Sequence, residues 1–181
     1  VLQRGDHAKR EELMEFLTSL ASVSTKFSVE VRESVESLRG PMSFALEVDG
    51  EMNGIVFSGI PSGHEFNSLV LAILHSGGTA LNLDDSLKNI VKGVKTPLKF
   101  EVFISLSCHN CPDVVQALNQ FAIINKNISS EMIDGGVFPE IIEQRDIQGV
   151  PSVYLNGELF ANGKVETAGL IDKLIEKHPE V

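Results

Sequence analysis

Residues 98–124 read LKFEVFISLSCHNCPDVVQALNQFAII, and this stretch decides the fold of the chain. It opens with a mostly apolar run, 98–106, that is typical of a buried strand. It closes with apolar residues at helical spacing, which predict a helix that docks on a sheet: Val114, Val115, Leu118, Phe121 and Ala122. Between strand and helix lie Cys108 and Cys111, the only cysteines in the sequence, at the spacing of a reversible disulfide.

The two cysteines stand where the helix is predicted to begin. A thiol takes part in exchange only when it ionises near neutral pH, and the unpaired N–H groups at the start of a helix favour the thiolate. The spacing lets a mixed disulfide at Cys108 be resolved by Cys111. His109 and Asn110 lie between them and are expected to tune that step. Pro112 suits a first helical turn, because its missing N–H would have had no intrahelical partner.

Two other roles are open to this cysteine pair. It can be half of a zinc site, although four ligands are the norm and the sequence has no second pair. It can also be an inert structural disulfide, although closing so short a loop adds little stability. A reversible redox pair is the leading interpretation, and no bound metal is expected.

Composition narrows the class of partner. Fifteen basic against 25 acidic residues give the 181-residue chain a formal charge of −10, with no run rich in Lys or Arg. Nucleic acid and anionic membranes are therefore not expected as partners. No apolar stretch approaches the roughly 18 residues of a membrane span. Two cysteines in one motif are not a secreted disulfide framework, so the expected location is cytoplasmic. The chain begins at Val1 rather than methionine, which indicates an excised fragment or a processed product.

The C-terminal half has a recognisable order of elements. The predicted strands are 98–105, 128–133, 152–155 and 159–161, and the predicted helices are 112–124, 138–145 and 167–177. Asn156 and Gly157 form a strong hairpin signal, and Thr167 is the expected cap of the last helix. That helix has one apolar stripe: Leu170, Ile171, Leu174 and Ile175. The order resembles the thioredoxin fold.

A proline is expected beside the motif in space. In the thioredoxin-like order, a proline with a cis peptide bond usually precedes the hairpin, and Val150 and Pro151 occupy that place. A cis bond there exposes backbone groups that pair with an incoming peptide next to the attacking sulfur. The alternative is an ordinary trans proline that opens a strand, but the offset of Gly149-Val150-Pro151 from the hairpin favours cis.

The N-terminal half repeats the outline with less clarity. Its predicted strands are 1–3, 26–31, 41–46 and 54–57, and its predicted helices are 8–21, 63–75 and 84–91. Residues 41–51 and 151–158 share a proline, alternating apolar residues, an Asp/Asn-Gly turn and a glutamate, so an internal duplication is the simplest account. The sequence predicts an α/β protein of two tandem thioredoxin-like folds, with mixed central sheets flanked by helices. Residues 1–94 lack cysteines, and residues 95–181 carry the redox pair.

Two longer strings are far more specific than the cysteine spacing. They closely resemble the N-terminal domain of the flavoprotein subunit of bacterial alkyl hydroperoxide reductase. The two strings are GHEFNSLVLAIL at 63–74 and SLSCHNCPDVVQALN at 105–119. Shorter matches are IDGG at 133–136 and GVP at 149–151. The resemblance extends from about Val1 to the last helix, and it rests on these strings rather than on composition or periodicity.

The resemblance implies roles for several residues and partners. It makes Cys108 the exposed nucleophile that attacks a two-cysteine peroxiredoxin, and Cys111 the buried resolving thiol. Electrons would come from a downstream flavoprotein disulfide reductase domain, expected in the same polypeptide, that binds FAD and NAD(P)H. Glu65 matches an acidic residue that lies near the disulfide in the family.

Glu65 has a physical rationale in that place. Thioredoxins carry a buried carboxylate six positions before the first cysteine, where this chain has Val102, so a proton acceptor for Cys111 must come from elsewhere. The alternative for Glu65 is capping of the following helix. His64 is expected to shape the site or cap the helix, and His109 to contribute electrostatically to the pKa of Cys108.

No cofactor is expected within this chain. No strand is followed by G-x-G-x-x-G and a helix, and the pairs Gly77-Gly78 and Gly135-Gly136 are better explained as a helix end and a turn. The leading hypothesis is a thiol–disulfide electron carrier for a peroxiredoxin. The alternatives are a stand-alone, glutaredoxin-like protein disulfide oxidoreductase and a binding module with inert cysteines.

Overall fold

A computed structural model describes residues 1–179. Its helices are α1 (Arg10–Ala21), α2 (Phe66–Ser76), α3 (Asp85–Lys92), α4 (Cys111–Ile124), α5 (Pro139–Gln144) and α6 (Thr167–Lys177). Its strands are β1 (Leu2–Gln3), β2 (Val31–Arg32), β3 (Ser43–Val48), β4 (Glu51–Ser58), β5 (Leu98–Ile104), β6 (Ile128–Asp134), β7 (Ser152–Leu155) and β8 (Glu158–Asn162). A 3-10 turn, Gly63–Glu65, leads directly into α2.

The strands form one mixed sheet in the order β2-β1-β3-β4-β6-β5-β7-β8. In the first half, β1 is parallel to β2 and antiparallel to β3, and β3 is antiparallel to β4. In the second half, β5 is parallel to β6 and antiparallel to β7, and β7 is antiparallel to β8. The two halves therefore share one strand order, which agrees with the predicted α/β class and its thioredoxin-like pattern.

The halves are joined inside the sheet. Strand β4 runs parallel to β6, with Ile55 opposite Ser130 and Ser58 opposite Ile133. The central sheets expected for the two halves are thus continuous, with β4 and β6 at the joint. The boundary between residues 94 and 95 stays a prediction.

Different helices and loops pack on the two faces of the sheet. Helices α1, α2, α3, α4 and α6 contribute to the main core on one face, where Phe100 and Val102 of β5 are fully buried. The apolar side chains of α4 predicted to dock on the sheet are all buried there. On the other face, α5 covers Phe103, and Leu38 packs on Ala45 and Val56. Strand β5 alternates between these faces because successive side chains point to opposite sides.

Both predicted Asx-Gly turns form two-residue hairpins. Asn156 and Gly157 connect β7 to β8 with φ values of 50° and 86°. Asp49 and Gly50 connect β3 to β4 with φ values of 52° and 87°. Positive φ at both central residues matches the right-handed twist of the flanking strands, and Asn, Asp and Gly adopt it most readily.

Three sequence expectations need correction. Strand β2 covers Val31–Arg32 instead of 26–31, because β1 presents only two residues for pairing. Thr167 is the first residue of α6 rather than its cap; Glu166 occupies the cap position, without a side-chain capping bond. Ile175 is 38% exposed, whereas Leu170, Ile171 and Leu174 are buried as expected.

We expect Gly54→Ala to destabilise the joint between the halves. Gly54 in β4 has φ 83°, and a Cβ atom there would lie 2.8 Å from the carbonyl oxygen of Ile128. Gly50 has φ 87° with no atom within 4 Å of such a Cβ, so it is the matched control. Gly50→Ala should lower the free energy of unfolding by about 1–2 kcal/mol, because alanine is strained in this backbone conformation. Gly54→Ala should cost about 1–3 kcal/mol more for the collision. Chemical denaturation measures the free energy of unfolding of both variants. Equal losses of this free energy would contradict a steric restriction at the joint.

Candidate active site

Cys108 and Cys111 form a disulfide at the start of α4. Their Cα atoms are 5.5 Å apart. Cys111 is the first residue of α4 and is fully buried, whereas Cys108 lies in the preceding turn and is partly exposed. Solvent therefore reaches Cys108 but not Cys111.

The local sequence explains how this turn is held. Strand β5 ends at Ile104, and the backbone N–H of Cys108 donates to the carbonyl oxygen of Ser105 at 2.9 Å. Asn110 occupies the cap position of α4 but makes no side-chain capping bond. Pro112 lies in the first turn of the helix, as predicted. Asn110 and His109 are both exposed beside Cys108.

The loop before β7 lies against Cys108. The Val150–Pro151 peptide bond is cis, as predicted, and it is the one cis bond found in residues 1–179. Pro41, its counterpart in the first half, is therefore preceded by a trans bond. The Sγ atom of Cys108 is 3.8 Å from the carbonyl oxygen of Val150. Val150 and the buried Pro151 thus lie beside Cys108, as predicted.

The 3-10 turn brings the cysteine-free half to the motif. The His64 N–H lies 3.4 Å from the Leu106 carbonyl oxygen, to which it donates. A Cβ atom at Gly63 would be 3.0 Å from the same oxygen, so only glycine fits this approach without adjustment. The exposed rings of His64 and His109 pack edge to face, with centroids 4.3 Å apart. His64 therefore lies beside the cysteine motif.

Glu65 turns inward from that same turn. Its side chain is fully buried, and neither carboxylate oxygen has a hydrogen bond of normal geometry within residues 1–179. Burial raises the pKa of Glu65 to about 7, although the nearby Ser68 hydroxyl favours the charged form. Glu65 occupies the cap position of α2 without capping it, so the capping alternative for this side chain is wrong.

Two other positions, in strands β5 and β6, show where buried carboxylates are absent and present. Val102 on β5 is fully buried, so this position of the strand offers no carboxylate. Asp134, at the end of β6, is 7% exposed and accepts a 2.9 Å hydrogen bond from the N–H of Gly136. Burial raises the pKa of Asp134, while the Gly136 N–H and Lys9 act in the opposite direction.

Comparison with known proteins identifies the family. A family model described as a thioredoxin domain matches residues 98–176. AhpF of Staphylococcus aureus, an alkyl hydroperoxide reductase subunit, is 45% identical over 96% of this chain, which spans 33% of that protein. The crystal structure of the NTD_N/C domain of the alkylhydroperoxide reductase AhpF from Enterococcus faecalis superimposes with a TM-score of 0.87 at 35% identity. The match covers 96% of this chain and 87% of that one.

The chain belongs to the AhpF N-terminal domain family. It is therefore a thioredoxin-like thiol–disulfide redox domain, and it spans about a third of the length of the curated relatives it matches. A protein disulfide oxidoreductase from Aeropyrum pernix has the same architecture, with a TM-score of 0.80 and 25% identity over 94% of this chain and 80% of that one. The recognition of the family from the strings at 63–74 and 105–119 is confirmed.

Sequence reasoning missed a buried ion-pair network in this AhpF-type domain. Glu101 and Glu131 face each other across β5 and β6. Arg39 contacts both, at 2.6 Å to Glu101 Oε1 and 2.9 Å to Glu131 Oε1, and Arg145 lies 2.9 Å from Glu101 Oε2. Burial opposes ionisation, but the bonds from Arg145 and Arg39 hold the pKa of Glu101 below its usual value. The overlooked signal was one glutamate inside each of the predicted strands 98–105 and 128–133, because a glutamate that is buried in a strand requires a cation nearby.

The two glycine pairs lie at a helix end and in a turn, as predicted. Gly77 ends α2, and Gly136 binds the Asp134 carboxylate in the turn after β6. Within residues 1–179, no three His, Cys, Asp or Glu side chains cluster as metal ligands, and no helix has the length and apolar character to cross a membrane.

Proposed function

We propose that this chain is the electron-carrying domain of a larger cytoplasmic reductase. It takes electron pairs from a flavoprotein disulfide reductase domain, tethered in the same polypeptide, and delivers them to a two-cysteine peroxiredoxin. The observation that carries the proposal is the difference in exposure between the two cysteines. Cys108 is partly exposed at the surface, whereas Cys111 is fully buried. Such an arrangement suits attack by one sulfur and internal resolution by the other.

The outgoing reaction is two successive exchanges. The thiolate of Cys108 attacks the partner disulfide, so one partner sulfur leaves as a thiolate and a mixed disulfide forms. Cys111 then loses its proton, and its sulfur attacks the Sγ of Cys108. The Cys108–Cys111 disulfide forms, the second partner sulfur leaves, and two electrons have passed to the partner, whose two thiolates take up two protons.

Glu65 is proposed as the group that accepts the proton of Cys111. Its turn contacts the motif through His64, and its pKa of about 7 keeps part of the population ionised near neutral pH. Cys111 lies in the apolar core, where deprotonation without a nearby acceptor is unfavourable. His64, His109 and Asn110 are proposed to shape the surface around Cys108, and Val150 and Pro151 to align the partner backbone.

The proposed source of electrons lies outside this chain. FAD and NAD(P)H are proposed to bind to the tethered reductase domain, whose dithiol attacks the Cys108–Cys111 disulfide. The curated relatives support this division, because this chain matches only a third of their length. The chain's formal charge of −10 favours partners that present basic contact surfaces.

A second candidate is a protein disulfide oxidoreductase with broad peptide substrates. The likeness to the Aeropyrum pernix protein favours it, because that protein shares the architecture at a TM-score of 0.80. In such a protein, the exposed Cys108 would meet many extended peptides rather than one dedicated partner.

Competing substrates separate these functions. The reduced chain is mixed with an oxidised two-cysteine peroxiredoxin, with insulin, or with a glutathione mixed disulfide, and oxidation of the chain is followed by stopped flow. We expect the peroxiredoxin to react about 100-fold faster than insulin, equivalent to about 2.7 kcal/mol of transition-state recognition. Similar rates for all three substrates would support the second candidate and contradict the first.

A further inference from the structure

The loop before β7 packs against a small aromatic cluster on the face of the sheet that α5 covers. The buried members of this aromatic cluster are Phe103, Ile133 and Tyr154. The rings of Phe103 and Tyr154 meet edge to face, with centroids 5.6 Å apart. Val150, whose carbonyl oxygen lies 3.8 Å from the Sγ atom of Cys108, packs against the cluster. The place of the loop beside the nucleophile therefore depends on the packing of this cluster.

Arg145, which directly follows α5, contacts the cluster through its side chain and its backbone. Its guanidinium carbon lies 4.5 Å from the ring centroid of Tyr154 and 5.2 Å from that of Phe103. A cation in this place is attracted by the negative face of an aromatic ring. The Tyr154 hydroxyl donates to the Arg145 carbonyl oxygen at 3.5 Å. Arg145 thus joins the end of α5 to β7, and residues 146–151 form the loop between them.

Glu101 holds the guanidinium of Arg145 over these rings. Glu101 lies opposite Tyr154 in the pairing of β5 with β7, and its Oε2 atom accepts a 2.9 Å bond from Arg145. Its Oε1 atom accepts a 2.6 Å bond from Arg39, which lies between β2 and β3 in the cysteine-free half. Because a buried carboxylate is stable only when it is paired, Glu101 keeps both arginines in place. The cysteine-free half therefore supplies one of the two cations at this position.

We propose that Arg145 and Arg39 are positioning residues, which act through Glu101 and the aromatic cluster to hold loop 146–151 beside Cys108. The inference rests on the proposed role of Val150 and Pro151 in aligning the backbone of a protein partner. A loop that is already in place costs less conformational entropy when the partner binds. Loss of either arginine should therefore slow exchange with a protein disulfide, which uses the loop, more than exchange with a small disulfide.

Backbone hydrogen bonds hold the same loop independently of the arginines. The Gly163 N–H donates to the Pro151 carbonyl oxygen at 2.8 Å, and the Ile147 N–H donates to the Ile142 carbonyl oxygen at 3.0 Å. These bonds do not involve the side chains of Arg39, Glu101 or Arg145. The arginine variants should therefore make the loop more mobile without unfolding it.

The test compares a protein disulfide with a small one. The reduced 181-residue chain is mixed with insulin or with 5,5′-dithiobis(2-nitrobenzoate), and the rate constant for oxidation of the chain is measured by stopped flow. Both substrates react at Cys108, but only insulin presents a peptide backbone to loop 146–151. Insulin is a substrate under either candidate function, so the result does not depend on whether a peroxiredoxin is the partner.

We expect Arg145→Met and Arg39→Met each to lower the rate constant for insulin about tenfold, because the loop no longer aligns the substrate backbone. The rate constant for the small disulfide should change by less than about twofold. Amide hydrogen exchange of loop 146–151 should become faster in both variants, which reports the mobility of the loop directly.

Two further variants control for the loss of a buried charge. Arg32→Met is the matched control, because Arg32 is also ion-paired, but its partners Glu30 and Glu47 lie in the first half. It should leave both rate constants and the loop exchange at the parent values. Glu101→Gln keeps the shape of the side chain and leaves no carboxylate at this position without its cation. It should slow the insulin reaction selectively, and it tests the same contact if a methionine variant fails to fold.

A double variant tests whether the two arginines act through one contact. In the Arg145→Met background, Arg39→Met should slow the insulin reaction little further, since both arginines bind Glu101. Additive losses would overturn the proposal, because they would place the effect of Arg39 elsewhere. Parent rates with insulin in both single variants would also overturn it. Equal losses with insulin and with the small disulfide would do the same, because they would indicate a change in the reactivity of Cys108 itself.

Discussion

The Cys111→Ser variant should accumulate as a covalent mixed disulfide with the peroxiredoxin, and Cys108→Ser should transfer no electrons. Cys108 is the sulfur that a partner can reach, whereas Cys111 is fully buried and can attack only its neighbour. Without Cys111 the first exchange proceeds and the second cannot. Loss of either sulfur should lower steady-state transfer by at least about 1000-fold, as expected when an essential nucleophile is removed.

Non-reducing electrophoresis and intact mass measurement detect the trapped species. Dithiothreitol should release it, and the double variant Cys108→Ser/Cys111→Ser should trap nothing. Ser107→Ala, next to the motif, is the control for local disturbance of the turn. Transfer at the parent rate by both single cysteine variants would refute exchange through this pair.

The second large effect is a gain in stability from Glu65→Gln at alkaline pH. The pKa of Glu65 is raised from 4.5 to about 7 in the folded chain, chiefly by burial. Below pH 4.5 the carboxyl is protonated in both folded and unfolded chains, so it imposes no penalty. As pH rises from 4.5 towards 7, the unfolded chain ionises this group more readily, and folding stability falls. Above about pH 7 the full penalty, about 3 kcal/mol, is present.

A neutral glutamine removes that penalty. The difference in unfolding free energy between Glu65→Gln and the parent should therefore grow by about 3 kcal/mol in favour of the variant between about pH 4.5 and about pH 8. Urea denaturation of the oxidised chain at both pH values measures it. The same substitution at the exposed Glu12 is the control and should show little change. A pH-independent difference at Glu65 would show that this carboxyl is not held in an unfavourable charged state.

The two effects of Glu65→Gln have opposite signs. The variant should gain stability at alkaline pH while it loses speed in the resolving step. A buried, unpartnered carboxylate is a poor structural element, and the proposed proton transfer at the disulfide would account for its presence. Destabilisation together with unchanged resolution would contradict both expectations at once.

Short-range sequence patterns were enough to predict the helices and strands of the C-terminal half. The strand before the cysteines, the apolar stripe of α4 and the Asn156-Gly157 turn depend on neighbouring residues, so they can be identified from a few positions of sequence. The cis bond at Pro151 was also foreseeable, because its offset from the hairpin indicated the fold around it. The edge strand β2 was overestimated, since its length depends on the two residues that β1 presents to it.

By itself, the sequence determined the redox chemistry and the order of elements in each half. The tertiary structure decided how the halves combine: β4 pairs with β6, Glu65 turns inward beside the motif, and Arg39 crosses to Glu101 and Glu131. These features connect residues 62 to 92 positions apart or depend on which face of a helix or strand is covered. Local propensity carries no information about such pairings, because they are set by packing between distant segments.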